Sequence, residues 1–104
     1  MGDSRTGIED DVITKSRDKT REPAMYKVLL HNDDYTTMEF VVEILKFVFH
    51  KNEERAMTIM LNVHKKGVGV CGLYTYDIAS TKINSVHTLA KERGYPLRCS
   101  MEEE

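Results

Sequence analysis

Tryptophan is absent from this chain, and proline and cysteine each occur only twice in 104 residues. Cys71 and Cys99 are too few and too far apart for a disulfide framework or a zinc knuckle, which fits a reduced, cytoplasmic setting. Charge of one sign is missing too. Fifteen basic against 17 acidic residues leave a formal charge of −2, without the basic excess that a general nucleic-acid binder needs. Long apolar runs are lacking: Glu43 and Lys46 interrupt the longest candidate, far short of the ~20 residues of a membrane span. The first residues carry Asp3, Glu9, Asp10 and Asp11 and no apolar h-region, so they do not read as a secretory signal.

What is present fits one small domain. A chain of this length buries only roughly 60–70% of its unfolded surface, enough for a single core. Residues 1–22 hold six acids and five bases but only Met1, Ile8, Val12 and Ile13 as apolar groups. Such a segment buries too little surface to offset its ordering entropy and is expected to form a flexible arm. Hydrophobic periodicity begins after Pro23, so the domain is expected over 23–104.

Met25 to His31 alternates Tyr26, Val28 and Leu30 with Lys27 and His31, as a half-buried strand does. Asn32-Asp33-Asp34-Tyr35 is a turn sequence, because short Asn and Asp side chains bond nearby amides. Thr36-Thr37-Met38-Glu39 matches a capping box and predicts a helix from Thr36 to about Phe49. Phe40, Val41, Ile44, Leu45, Phe47 and Val48 cover most of that helix, which predicts burial on more than one side. Asn52 is the next N-cap, and a second helix is expected to end in Lys65-Lys66 with Gly67 at the left-handed position. Met38, Met57 and Met60 fall at helical spacing and read most simply as core. Val68 to Tyr74 reads as a strand weakened by Gly69 and Gly72. A third helix runs from Thr75 to Gly94, and Leu97, Cys99 and Met101 alternate in a last strand. The order β-α-α-β-α-β predicts an α+β fold, a three-stranded antiparallel sheet packed against three helices.

The turn is the most polar point of the domain. Asn32, Asp33 and Asp34 could simply make the turn, and His64 could simply sit at a helix end as a cation. Were they to converge beside the methionines, a carboxylate, an amide oxygen and an imidazole would face an apolar hole. That combination suits a cation attached to a large apolar side chain, as in the first residue of a polypeptide. Spacing alone does not establish the convergence.

The run Asn32-Asp33-Asp34-Tyr35-Thr36-x-Met38-Glu39-Phe40-Val41 resembles the hallmark of the ClpS family, the bacterial N-end rule adaptors. So do Met60-Leu61-x-Val63-His64, Gly67-x-Gly69-Val70-Cys71-Gly72, Thr81-Lys82 and Pro96-Leu97-x-Cys99, in the family's order over Pro23 to Glu104. The resemblance implies a monomeric cytoplasmic adaptor, without catalysis, metal or cofactor. It would bind proteins with a bulky hydrophobic N-terminal residue (Phe, Tyr, Trp or Leu) and deliver them to the ClpA unfoldase and the ClpP peptidase. By position it implies that Asn32, Asp34 and His64 hydrogen-bond the substrate α-amino group, and that Asp33 and Thr36 contact the following backbone. Leu30, Met38, Val41, Met60, Val63 and Leu97 match the lining of the side-chain pocket. Asp77 and Lys82 match positions that dock the N-terminal domain of the AAA+ unfoldase, and the arm matches an extension that aids delivery. Two positions depart from the pattern: Thr37 stands where proline is usual, and His31 where an apolar residue is common.

Three rival readings follow from the same residues. Asp33, Asp34 and His64 could form an acid–base set for hydrolysis, although no serine, cysteine or metal constellation accompanies them. His31, Asp34 and His64 could hold a metal. An interaction module could also keep the fold and bind the unfoldase alone.

Overall fold

The computed structural model describes residues 22–104; the expected arm, 1–21 with only Glu22 inside, lies outside the described residues. The elements follow the predicted order. They are β1 (Met25–His31), α1 (Met38–Phe47), α2 (Glu53–Lys66), β2 (Val68–Thr75), α3 (Tyr76–Arg93) and β3 (Arg98–Glu103). The sheet is antiparallel with order β2-β1-β3. The central strand places Val28 and Leu30 fully buried against half-buried neighbours.

The helices cover one face of this sheet. Phe40, Val41, Ile44 and Leu45 from α1 and Ala56, Ile59, Met60 and Val63 from α2 join Ala79, Val86 and Ala90 from α3. These meet Val28, Leu30, Cys71 and Cys99 from the strands in one core, together with Leu97, which lies just before β3 rather than in it. α2 packs against α1 and β2, while α3 touches all three strands.

Several local expectations are corrected. The first helix starts at Met38 and ends at Phe47. Its N-cap is Thr37, whose hydroxyl accepts from the Phe40 amide at 3.1 Å. Thr36 is unavailable because its own hydroxyl donates to Asp33. Burial on several sides of α1 does not extend to Phe47, which is 73% exposed. Of the three methionines at helical spacing, Met60 is core, whereas Met38 and Met57 are exposed. The second strand runs through Gly69 and Gly72 to Thr75, and its register with β1 shifts beside Gly72, where Val28 pairs with Gly72 and Leu29 with Val70. A Cβ on Gly69 would meet Val63 Cγ2 at 2.7 Å and the Ile59 carbonyl at 3.1 Å, so the glycine lets α2 lie close against β2. Asn52 and Gly67 cap α2 as expected, with Gly67 at φ 88°. That left-handed turn suits a residue without Cβ.

Candidate functional site

The Asn32–Thr36 segment joins the central strand to α1, and it is ordered mostly by one side chain. Asp33 Oδ1 accepts from the amides of Tyr35 at 2.8 Å and Thr36 at 2.7 Å, and Oδ2 accepts from the Thr36 hydroxyl at 2.7 Å. Partial burial works to raise the pKa of Asp33, but these hydrogen bonds outweigh it and hold the carboxyl below its usual range. At the other end the Asn32 amide donates to the Gly67 carbonyl at 3.0 Å, and the Gly67 amide donates to Val63 at 3.0 Å. The turn is thereby tied by main chain to the last turn of α2, which carries His64.

That tie brings the scattered motifs to one cavity of about 460 Å³. Asn32, Asp33, Asp34 and Thr36 come from the turn, Met38 and Val41 from α1, and Met60, Val63 and His64 from α2. Asn32, Asp34 and His64 are exposed, whereas Val41, Met60 and Val63 are buried. Polar acceptors and an imidazole thus stand at the solvent side of an apolar wall, complementary to a small cation carried on a large apolar group. Two other wall residues, Tyr35 and Thr37, lie outside the expected set of site residues. The signal for Thr37 was available: Asp33 lies three residues before Thr36 and competes for its hydroxyl, which leaves the cap to the next threonine.

The remaining candidates lie elsewhere. Leu30 and Leu97 are buried in the core, 0% and 3% exposed, and neither lines the cavity. Asp77 is exposed in the first turn of α3. Lys82 is half-buried: its ammonium donates to the Val48 carbonyl at 2.7 Å and lies 5.3 Å and 5.8 Å from the Tyr74 and Phe49 ring centroids. His31 lies on the face of the sheet opposite the helices, with Nε2 2.7 Å from the Ser100 hydroxyl. Burial and then the nearby Arg98 charge lower its pKa.

Neither cysteine is a ready nucleophile. Burial pushes the Cys99 thiol up to about 12, and burial followed by the neighbouring Cys99 raises Cys71 further in the same direction. Among the described residues, no group of three or more His, Cys, Asp or Glu side chains is placed to hold a metal ion. No described helix is long and apolar enough to cross a membrane.

A helix-covered three-stranded sheet with a polar-rimmed apolar cavity beside its first turn defines a small recognition domain. Comparison with known proteins gives its family. The family model for the ATP-dependent Clp protease adaptor protein ClpS matches residues 21–100. The chain is 65% identical over 96 residues to the ATP-dependent Clp protease adapter protein ClpS of Syntrophus aciditrophicus (strain SB), covering 92% of this chain and 90% of that one. It is 53% identical over 104 residues to the adapter of the same name from Desulforapulum autotrophicum, over the whole of both chains. Among solved structures, Agrobacterium tumefaciens ClpS2 bound to L-phenylalaninamide is similar with a TM-score of 0.77 and 42% identity, over 80% of this chain and all of that one. The chain belongs to the ClpS family of Clp protease adaptor proteins, and its relatives are named as adaptors rather than enzymes.

Proposed function

We propose that this protein captures polypeptides whose first residue is bulky and hydrophobic and whose α-amino group is free, and passes them to a ClpA-type unfoldase for degradation by ClpP. The observation that carries this reading is the meeting of Asn32, Asp34 and His64 with Met38, Val41, Met60 and Val63 around one cavity. Asp34 supplies the charge for an α-ammonium, Asn32 and His64 supply hydrogen bonds, and the apolar wall receives the side chain. A relative solved with an amino-acid amide, which has a free α-amino group and an aromatic side chain, supports the same polarity of binding.

Asp33 and Thr36 spend their polar groups on each other, so in this reading they shape the turn that a substrate backbone passes. Leu30 and Leu97 support the pocket from the core. Asp77, together with the face of α3 around Lys82, is proposed to meet the unfoldase N-terminal domain, and the arm before Pro23 to aid delivery.

The test is a pair of peptides beginning with Phe, one with a free amino terminus and one acetylated. Hydrogen bonds to charged groups are worth about 1.5–3 kcal/mol, so the free peptide is expected to bind about ten- to a hundredfold more tightly. Equal binding of the two overturns the reading.

A further inference from the structure

Gly69 is the buried glycine of β2, and no turn requires it there: the glycines with positive φ among the described residues are Gly67, Gly72 and Gly94. An alanine would therefore keep the backbone. It would not keep the space. A Cβ at this position would stand 2.7 Å from Val63 Cγ2, 3.1 Å from the Ile59 carbonyl oxygen and 3.3 Å from Ile59 Cγ2. Ile59 and Val63 are one helical turn apart on the same face of α2, so the added carbon would press on two successive turns.

Neither side of that contact yields cheaply. Gly69 faces Leu30 in the register of the central strand, and Leu30 is fully buried. Val63 branches at Cβ, which leaves it essentially one rotamer in a helix, and both Val63 and Ile59 are buried. The open space next to Val63 is the cavity that holds the candidate site, which it lines together with Met60 and His64 of the same helix. Pressure from β2 is thus relieved into the cavity, by Val63 itself or by the part of α2 that carries all three residues.

We infer that Gly69, which does not line the cavity, is a positioning residue: by lacking a side chain it sets the width of the cavity and so how large a first residue the protein accepts. The inference rests on the reading that this cavity receives the first side chain of a polypeptide. It adds that room for a wide aromatic ring is held from behind the wall, by a strand that contributes no residue to the lining.

The experiment uses the full chain and peptides that differ only in the first residue, Leu, Phe or Trp, each with an acetylated copy. One methylene more or less in an apolar pocket changes discrimination by about tenfold. Gly69→Ala is expected to weaken Trp about tenfold and Leu no more than about twofold, with Phe between. Adding Val63→Ala removes the methyl that the new Cβ would strike, and the Trp-to-Leu ratio is expected to recover. Val86→Ala is the control for lost stability alone. Val86 is fully buried on α3 and does not line the cavity, so this variant lowers the melting temperature while the ratio stays at its wild-type value. Where Gly69→Ala does not fold, the ratio is read in the double variant against Val63→Ala and is expected to be lower in the double. A ratio unmoved by Gly69→Ala, one that falls equally in Val86→Ala, one that Val63→Ala does not restore, or one equal in the double variant and Val63→Ala overturns the inference. Equal binding of the free and acetylated copies overturns instead the reading of the cavity as a site for a polypeptide N-terminus.

Discussion

Asp33 and Thr36 hold each other twice: the Thr36 amide and the Thr36 hydroxyl each donate to the Asp33 carboxylate at 2.7 Å. A site of this kind has two sorts of polar residue, those that meet a ligand and those that keep the others in place. The geometry puts Asp33 in the second group.

Replacing Asp33 by Ala removes three acceptor contacts of the turn, a loss comparable to that of a helix cap, about 1 kcal/mol of stability. Peptide affinity is expected to fall with it, and Asp33→Asn, which keeps one oxygen acceptor, is expected to recover part of both. Because the folded-state pKa of Asp33 is lowered, its contribution is present above the usual carboxylate value and is lost as pH falls through the folded one. Denaturation measured from neutral pH into acid checks this, since the acid limb should flatten in Asp33→Asn.

Asp34, by contrast, makes no side-chain hydrogen bond within the described residues and is exposed. Asp34→Ala is expected to leave the melting temperature nearly unchanged while weakening a free-amino Phe peptide about ten- to a hundredfold. Calorimetric melting and fluorescence titration on the same sample separate the two effects.

Met38 is 45% exposed and lines the cavity, so it is not a plain core residue. A flexible thioether there can close on a flat ring and crowd a β-branched first residue. Met38→Ala is expected to admit peptides beginning with Ile or Val and to weaken Phe by about 1–2 kcal/mol through lost contact area. A peptide panel varied only at the first position reads this out.

Lys82 is engaged within the fold by a carbonyl and two aromatic rings. Lys82→Ala is expected to destabilise the domain by about 1–2 kcal/mol. Chemical denaturation is the measurement, and a residue that served docking alone would leave it unmoved.

His31 titrates below its ordinary value because burial, and then Arg98, disfavour its charge. Stability is therefore full above pH ~6.5 and declines as pH drops towards the lowered folded-state value. His31→Val should remove that part of the slope, as midpoints of denaturation at several pH values would show.

Much of the fold was legible because β1 alternates cleanly and Asn52, Gly67 and Gly94 mark helix ends by backbone chemistry that hardly depends on tertiary context. Thr36 and Thr37 show where legibility ends. Both can cap, and the choice was decided by whether Asp33 had already claimed a hydroxyl. Phe47 and Met57 fell on helical spacings that suit a core yet face solvent, since periodicity gives a face but not whether another element covers it. Asn32 and His64 were visible as residues but not as neighbours. Their proximity depends on β1 and the end of α2 meeting, a long-range contact that no local pattern encodes. Leu30 and Leu97 matched pocket positions by resemblance, yet their burial is set by the sheet and helices together.

The amide of Asn32 reaches the carbonyl of Gly67, so the spacing between the two banks of the cavity is written in backbone rather than in side chains. Recognition is for that reason separable from folding here. Side chains that the frame does not use, Asp34 and Met38 among them, can be exchanged without moving it, whereas Asp33 cannot. A chain built this way offers a route by which relatives sharing one scaffold come to differ in what their cavities accept.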